Sequence, residues 1–439
     1  MTINNIPASL QAAIQAGFLE TEFRHGLNSA LGYRKVADRE PIAINVGETI
    51  TKTRAGLKAP VTTPLLASGN TNLDNGLTPN PSTIEQYTLG MNMYADSIDL
   101  NVVTSQVGIA NQFLLNSRIN GTQARQSLDR IARNALFSAY LGGQTSVRVT
   151  LGAPGTALSV DNVAGFLTVL VNGVMVPVSA TNSVSVLVGA TSYTLVGAAA
   201  DAVNASVTPG GVSGVLTFSS NVTVANGTVP NQVLHANAPV LRRPSGVTSS
   251  LSLTSSNLLT LSVIEDTVAQ IRNNTAYMGM IDCLLDNVSM RQLFADPDFK
   301  QIYQGQYGSK PANEWRQGQV FDLFGVQFTP TTEALTQVNG SVTIRRPILA
   351  IPGALVEGDF AGMTDKAKDM GGVNADVSMI DDVIQITRGP MDRLQQIIAQ
   401  SWFWIGGFVA PTDVTANSNI IPTAGAQYLK RAGVIEHGS

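Results

Sequence analysis

Charge is scarce in this 439-residue chain: Asp, Glu, Lys and Arg make up 13% of its residues, whereas an average globular protein has about 25%. The shortage is most severe between Val149 and Leu241, where Asp161 and Asp201 are the only charged side chains. Both flanks of this stretch have a much higher charge density and helical patterns. We therefore predict that an uncharged, β-patterned domain is inserted into a different host fold.

Cysteine is almost absent as well. The single cysteine, Cys283, excludes an internal disulfide and favours a protein that is made and kept in a reducing cytoplasm. It lies in an apolar run, so we interpret it as a buried thiol rather than a nucleophile. The segment from Met1 to Leu19 lacks the basic start and apolar core of a signal peptide. The most apolar run, residues 397–410, is too short to span a bilayer, so we expect a soluble, non-secreted protein.

The sequence also lacks the common catalytic and nucleotide-binding motifs. It contains no G-x-x-x-x-G-K-[ST], no G-x-G-x-x-G, no H-E-x-x-H and no C-x-x-C. The three histidines, His25, His235 and His437, are far apart in the sequence, and we interpret them as solvated surface residues. We therefore predict that the protein is not an enzyme and has no catalytic, cofactor-binding or metal-binding residues and no cofactor.

A few short clusters admit both a binding role and a structural one: Asp381-Asp382, Asp296 with Asp298, Trp402-Phe403-Trp404, Arg242-Arg243 and Arg345-Arg346. The aspartates have oxygen ligands for a divalent cation, but turn and helix-cap roles are more usual. The aromatic run would suit a sugar platform, although inside an apolar strand it more often packs in a core or an interface. The isolated arginine pairs would reach phosphate, but they do not form a basic patch.

The N-terminal third combines helical and strand-like patterns. Apolar residues at helical spacing predict an amphipathic arm over residues 6–31, with Pro7 in its first turn. Alternation over residues 41–56 and again over 84–100 predicts a long hairpin around the polar stretch 58–82. A loop of this length and a bare two-stranded hairpin both point to a neighbouring surface.

The strongest helical pattern covers residues 104–141. Asn120-Gly121-Thr122 interrupts it and predicts a kink or a fresh N-cap. Gly142-Gly143 predicts the end of the helix.

The uncharged stretch has the pattern of a small β domain. Asn172-Gly173 separates two apolar runs and predicts a type I′ hairpin, because both residues tolerate positive φ. Further short strands are predicted over residues 183–188, 192–196, 203–207, 215–218 and 222–224. Their spacing predicts a small all-β sandwich or barrel, with an immunoglobulin-like arrangement as our choice.

The C-terminal half mixes helices and strands. A helix is predicted from about residues 255–257 to 273, and a second from 290 to 303 with a break at Asp296-Pro297. Strands are predicted at 277–285, at a hairpin around Gly325, and at 346–352, 383–387 and 397–409. Because the elements show no regular βαβ alternation, the fold class is α+β.

This order of elements resembles the major capsid proteins of tailed bacteriophages, which share the Hong Kong 97-like, or Johnson, fold. Residues 316–328 are similar to a hairpin of these coats, and residues 349–357 resemble the axial-domain strand that follows it. The resemblance implies an N-terminal arm (1–40), an E-loop hairpin (41–100), a peripheral domain with the spine helix (101–143), an inserted immunoglobulin-like β domain (144–248), an axial domain (249–380), and closing peripheral strands with a C-terminal tail (381–439).

The resemblance also implies a function. Pentamers and hexamers of the chain would form an icosahedral head shell around double-stranded DNA, assembled in the host bacterial cytoplasm and found in the virion. Scaffolding, portal and cement proteins would be its partners, with no membrane and no sequence-specific DNA binding. Some such coats cross-link Lys to Asn; Lys52 and Lys58 lie in the implied E-loop, but no partner residue is assigned.

Two alternatives stay open at the level of sequence. One is an encapsulin-like compartment shell, which has the same fold but encloses enzyme cargo. The other is a phage tail or adhesive protein that displays an immunoglobulin-like module.

Overall fold

The computed structural model describes residues 18–27, 32–42, 49–62, 82, 84–101, 109–244, 246–301, 321–360, 375–390, 392–413 and 420–439. The chain divides into two compact units, each built from three separate stretches. The first unit consists of Met1–Ile50, Thr88–Arg133 and Leu355–Val409, and the second of Thr51–Tyr87, Asn134–Ala354 and Ala410–Ser439. Helix takes 21% and strand 41% of the described residues, which confirms the α+β class.

The helices and strands follow one another without a repeating unit. The elements up to residue 146 are α1 (Phe18–Leu27), a 3-10 helix (Tyr33–Val36), β1 (Ala37–Ile42), β2 (Thr49–Ala55), β3 (Ile84–Gly90), β4 (Asn92–Asn101), α2 (Ile109–Tyr140) and β5 (Gln144–Ser146). A β-rich stretch follows with β6 (Gly155–Val160), β7 (Thr168–Val171), β8 (Val174–Pro177), β9 (Val184–Val188), β10 (Thr191–Ala200), β11 (Gly214–Val222), β12 (Gln232–His235) and β13 (Val240–Arg242).

The remaining elements alternate irregularly. The helices are α3 (Leu261–Thr275) and α4 (Asn287–Ala295), separated by β14 (Ile281–Leu285). The strands after α4 are β15 (Phe321–Leu323), β16 (Val326–Pro330), β17 (Thr336–Asn339), β18 (Val342–Arg345), β19 (Ile348–Ala350), β20 (Leu355–Phe360), β21 (Ala375–Ile380), β22 (Val383–Arg388), β23 (Ile397–Val409), β24 (Ala432–Ile435) and β25 (His437–Gly438).

The first unit is built on one six-stranded sheet. Its order is β1-β20-β23-β22-β21, and β4 also pairs with β23. The N-terminal strand β1 runs parallel to β20, with Ala37 opposite Leu355. Buried side chains of α2, Ala124 and Leu128, pack with Trp402 and Trp404 of β23 in one apolar cluster. Residues from both ends of the sequence thus share a single core.

Helix α2 differs from the prediction because it continues through Asn120-Gly121-Thr122. The Asn120 amide is buried and donates to the carbonyl oxygen of Gln400 at 3.0 Å. The Thr122 hydroxyl donates to the carbonyl oxygen of Arg118, one turn earlier, at 3.1 Å. Neither side chain is therefore used as an N-cap. The predicted end at Gly142-Gly143 is confirmed, and Gly143 has a φ of 75°.

The second unit contains a mixed six-stranded sheet in the order β13-β24-β19-β14-β16-β15. Helix α3 packs on it through Ile264, Val268 and Ile271, in one core with Cys283. The hairpin around Gly325 is confirmed as β15 and β16. A smaller sheet, β17-β18-β25, lies in the same unit.

Helix α3 begins at Leu261, later than predicted. Thr254 and Asn257 form a local turn in which the Thr254 amide donates to the Asn257 side chain at 2.8 Å. The first helical amide, that of Leu261, donates to the carboxylate of Asp296 at 2.7 Å. The cap of α3 therefore comes from a residue 35 positions away, which a local pattern does not reveal.

The β-rich stretch forms a closed barrel of its own. The sheet order is β5-β12-β9-β10-β11-β6, and an antiparallel bridge between Val147 and Val160 joins its two ends. The Arg148 amide donates to the carbonyl oxygen of Ser159 at 2.9 Å beside that bridge. Apolar side chains such as Val186 and Leu216 fill the interior. The closed barrel agrees with one of the two predicted alternatives, sandwich or barrel, and differs from the immunoglobulin-like arrangement, because the edge strands pair with each other.

The strand predictions in this stretch are partly confirmed. The Asn172-Gly173 turn has the predicted positive φ values, 50° and 80°, between β7 and β8. The single strand β11, Gly214–Val222, includes the predicted range 215–218 and only the first residue of 222–224, and 203–207 is loop. The loop is held by Asp161, whose carboxylate accepts the Val207 amide at 2.8 Å and the Thr208 hydroxyl at 2.6 Å.

The predicted domain boundaries differ from the two units. Strands β20 and β21, predicted in the axial domain, pair within the sheet of the first unit. The predicted C-terminal tail contains β24, which lies between β13 and β19 in the second unit, and β25. The predicted strand over 84–100 is divided at Met91 into β3 and β4. Residues 1–17 of the arm and 63–81 of the predicted E-loop lie outside the described residues.

Candidate functional site

The buried position of two histidines corrects our interpretation of them as solvated. His235 is 2% exposed, and its Nδ1 accepts the Asn237 amide at 2.9 Å. Its ring contacts the rings of Phe166 and Tyr428, with centroids 5.9 and 5.7 Å away. Burial lowers the pKa of His235 to about 4. This imidazole is therefore neutral at physiological pH, and the side chain of His25 lies outside the described residues.

His437 is fully buried in β25, beside a serine and an aspartate. Its Nε2 lies 2.7 Å from the hydroxyl of Ser289, which also contacts the carboxylate of Asp286. A catalytic triad has histidine between serine and the acid. Here serine is in the middle, and Asp286 also caps α4 and pairs with Arg345 at 2.5 Å. The cluster holds the C-terminal strand in place and contains no activated nucleophile.

Cys283 is a buried thiol, as predicted. It is 1% exposed in the core under α3. Burial, together with the charge of Asp282, raises its pKa above the ordinary range of a thiol. A protonated and inaccessible thiol is a poor nucleophile.

The acidic and aromatic clusters have structural roles. Asp381 and Asp382 have φ values of 46° and 69° and form the turn between β21 and β22. The carboxylate of Asp296 caps α3, as described above. Trp402 and Trp404 are buried in the core of the first unit. Within the described ranges, no group of three or more His, Cys, Asp or Glu side chains is arranged to hold a metal ion.

Three of the four paired arginines form ion pairs inside the second unit, because Arg345 pairs with Asp286 and two others share Glu436. The carboxylate of Glu436 accepts hydrogen bonds from the Nε of Arg243 and the Nε of Arg346, each at 2.8 Å. Burial alone would raise the pKa of Glu436, but the two guanidinium groups outweigh it and lower the pKa. Arg242 donates to the Gln270 side chain at 2.9 Å. None of these contacts presents a phosphate-binding surface.

A second ion network fixes the segment after α1 in the first unit. Arg34 and Glu357 are 6% and 1% exposed, and the Nε of Arg34 lies 2.9 Å from a carboxylate oxygen of Glu357. The buried carboxylate of Asp129 accepts the backbone amides of Tyr33 and Arg34 at 2.8 and 3.1 Å. Arg39 pairs with Asp382. Burying charges costs several kcal/mol unless they are paired and hydrogen-bonded, as these are. Residues 33–39 are thus tied to α2, to β20 and to the turn between β21 and β22.

Local sequence patterns do not indicate these networks. Arg34 and Glu357 are 323 positions apart, and neither has an unusual local context. Correlated changes of charge at the two positions among relatives would be the signal that reveals such a pair.

The β2–β3 hairpin is anchored by polar contacts of the second unit, at the ends of its strands that lead into the connecting segment. Arg54 of β2 lies 3.3 Å from the carboxylate of Asp413, which also pairs with Arg431 at 2.8 Å. Glu85 of β3 is 3% exposed, and its carboxylate accepts the hydroxyl of Thr412 at 2.9 Å. Both strands are therefore bonded to the segment that follows β23.

Apolar side chains are exposed on and beside this hairpin. Leu57, Val61 and Ile84 are 61%, 90% and 54% exposed. In the first unit, Leu115 and Ile119 are exposed one helical turn apart on α2. Clustered exposed apolar side chains mark surfaces that bind a partner.

Among the described helices, none has the length and apolar character to cross a membrane.

Comparisons with known proteins find similarity only among solved structures. No family model matches the sequence, and no curated protein matches it. The chain is similar to the capsid of Ralstonia phage GP4, at 11% identity over 92% of this chain and 87% of that chain, with a TM-score of 0.47. It is also similar to the capsid of cyanophage Pam1 (10% identity, 90% and 86% covered, TM-score 0.45) and to that of the Helicobacter pylori bacteriophage KHP30 (8%, 94% and 93%, TM-score 0.44).

Proposed function

We propose that this chain is the major capsid protein of a tailed bacteriophage with the Hong Kong 97-like fold. Many copies form pentamers and hexamers that close into an icosahedral head shell around double-stranded DNA. The chain acts as a structural protein rather than an enzyme.

The observation that carries the proposal is the arrangement around α2. This 32-residue helix follows the β2–β3 hairpin and packs on a sheet that joins β1 to the late strands β20–β23. The same order of arm, hairpin, long helix and returning sheet strands is what the resemblance to these coats implies. The first unit then corresponds to the peripheral domain, the barrel strands β5–β12 to the inserted domain, the β2–β3 hairpin to the E-loop, and the rest of the second unit to the axial domain.

Shell formation follows from surfaces that are repeated in every copy. The exposed apolar side chains of the hairpin region and of α2 need cover, and a neighbouring copy supplies it in a closed symmetric lattice. Each contact is weak, but the sum over a closed shell is large. The net charge of −4 suits a wall that confines DNA without binding particular sequences.

The partners and location follow from this assignment. Assembly takes place in the host bacterial cytoplasm, guided by a scaffolding protein, and the finished shell is part of the virion. A portal at one vertex and a cement protein on the outside complete the set of partners.

Electron microscopy of the purified chain tests the proposal. The chain is expressed alone and together with the candidate scaffolding protein encoded beside it. Closed shells tens of nanometres across, filled with DNA when taken from infected cells, are the expected result. Shells that contain a protein cargo and no DNA would favour the encapsulin-like alternative. Monomers or trimers under all conditions would contradict both and favour a tail or adhesive protein.

A further inference from the structure

The tip of the β7–β8 hairpin contacts strand β3 in the same unit. The amide of Gln86 donates to the carbonyl oxygen of Gly173 at 2.8 Å. On the other side, a Cβ atom added to Gly173 would lie 2.2 Å from the carbonyl oxygen of Ile84. The two backbones therefore meet without any side chain between them.

Glycine is needed at this contact for two separate reasons. Gly173 has a φ of 80°, which side chains rarely allow. The space that a side chain would occupy is filled by the β3 backbone. The Asn172-Gly173 turn thus does more than reverse the chain, because its second residue is also the point of contact.

The polar contacts of Arg54 with Asp413 and of Glu85 with Thr412 also hold strands β2 and β3. Lys430 is 1% exposed and lies near both carboxylates of this region. Burial lowers the pKa of Lys430, and the carboxylates of Asp413 and Glu85 act in the opposite direction. Buried charges of both signs hold each other in place here, and they would be costly to separate.

An isolated two-stranded hairpin is only marginally stable in water, so the β2–β3 hairpin needs a supporting surface. The sequence suggests another subunit for this role. In the structure, β7–β8 and the residues Thr412 and Asp413 of the same chain contact it.

We propose that the β7–β8 hairpin is a brace whose binding partner is strand β3 of its own chain, and that this contact sets the β2–β3 hairpin in position before the subunit meets a neighbour. The role in assembly rests on the proposed function. The brace itself is a property of the single subunit and is measured without any shell.

The test compares two glycine variants of the full-length chain. Gly173→Ala introduces the clash with Ile84. Gly210→Ala is the matched control, because Gly210 also has a positive φ, 74°, but no atom lies within 4 Å of its added Cβ. Hydrogen exchange followed by mass spectrometry is read for peptides that cover residues 49–55 and 84–90, with barrel peptides around Val186 and Leu216 as an internal reference.

In Gly173→Ala we expect exchange at residues 84–90 to increase about tenfold, which corresponds to about 1.4 kcal/mol of lost protection, while the barrel reference stays unchanged. Gly210→Ala should exchange like the wild type in both regions. Equal exchange in wild type and Gly173→Ala, or an equal increase in both variants, would overturn the brace.

A second variant covers the case in which Gly173→Ala disturbs the barrel itself. Thr412→Val removes the hydroxyl that donates to Glu85 and leaves β7–β8 unchanged. Faster exchange at residues 84–90 in this variant supports a hairpin held by its own chain, and wild-type exchange contradicts it.

The assembly role has a separate readout. Gly173→Ala subunits should form shells in lower yield than Gly210→Ala subunits under the same conditions. Wild-type shell yield from a subunit with a released hairpin would refute the assembly role. A wild-type chain that forms no shells would refute the proposed function and leave the exchange result to decide the brace.

Discussion

Arg34 and Glu357 form a buried ion pair across 323 positions of sequence. The guanidinium uses both Nε and Nη2, so the geometry is that of a two-pronged arginine–carboxylate contact. The pair joins the residues just before β1 to strand β20, where β1 and β20 run parallel. It therefore ties the segment that leads into the edge strand β1 to β20, the next strand of the sheet.

Breaking this pair should destabilise the protein strongly. In Glu357→Gln, the shape is kept but the buried Arg34 loses its counter-charge, and we expect a loss of about 3 kcal/mol in the free energy of unfolding. Urea denaturation followed by circular dichroism measures it. The control is Arg148→Gln, which breaks a partly exposed pair with Asp201 and should cost less than about 1 kcal/mol. Equal losses in the two variants would contradict the role of burial.

Acid should weaken the fold through its buried histidines. The pKa of His235 is lowered from 6.5 to about 4. Between these two pH values the unfolded chain binds a proton at this imidazole, whereas the folded chain does not. This contribution to stability is complete above pH 6.5 and is lost as the pH falls to about 4. At 1.36 kcal/mol per pKa unit, the loss is about 3 kcal/mol. His437 has a similar shift, caused first by burial.

The histidine contribution is isolated by His235→Phe, which keeps a ring between Phe166 and Tyr428. Urea denaturation at pH 7 and at pH 4.5 gives the change in unfolding free energy for each protein. We expect the acid-induced loss to be smaller in the variant than in the wild type by about 2–3 kcal/mol. The same loss in both proteins would show that His235 is not buried in its neutral form.

Cys283 should be unreactive in the native protein. Its thiol is buried and its pKa is raised, so both access and ionisation are unfavourable. Because it is the single cysteine, a thiol reagent such as Ellman's reagent reports on it alone. We expect no release of thionitrobenzoate in buffer and release of one equivalent in 6 M guanidinium. Rapid labelling of the native chain would place Cys283 at the surface.

The exposed valine next to β2 should matter for assembly rather than for folding. Val61→Asp places a charge on a side chain that is 90% exposed, so the free energy of unfolding should change by no more than about 0.5 kcal/mol. Shell yield, measured by sedimentation, should fall sharply. Val203→Asp is the control, because Val203 is 80% exposed in a loop of the barrel, which we expect to face away from neighbours. Normal shells from Val61→Asp would exclude this surface from the contact.

Local sequence patterns predicted those elements whose conformation is decided by neighbouring residues in the sequence. Strand β23 was predicted with both of its ends, because apolar side chains mark it along its whole length. The Asn172-Gly173 turn was predicted because both residues favour positive φ. The histidines and the break in α2 were misjudged for one shared reason. Asn120 is kept helical by Gln400, 280 positions away, and His437 is buried against Ser289, 148 positions away.

The ion networks and the closure of the barrel could not be predicted for the same reason. The bridge between Val147 and Val160 depends on how the whole sheet curves, and no residue in either strand signals it. Asp161 and Asp201 stand out in an uncharged stretch, and both prove to be anchors. Asp161 holds the 207–208 loop, and Asp201 accepts the hydroxyl of Ser213 at 2.8 Å. An isolated charge in such a stretch is a local signal that we did not use.

The position of the late strands has a consequence for the nascent chain. In the first unit, β1 pairs with β20 and β4 pairs with β23, both of which are synthesised much later. In the second unit, β13 likewise pairs with the late strand β24. Neither sheet is complete until residues 397–409 and 432–435 have left the ribosome. The early strands β1, β4 and β13 lack these partners during most of synthesis, which slows folding and favours aggregation. We therefore expect this chain to fold after translation and to depend on a chaperone until its late strands are synthesised.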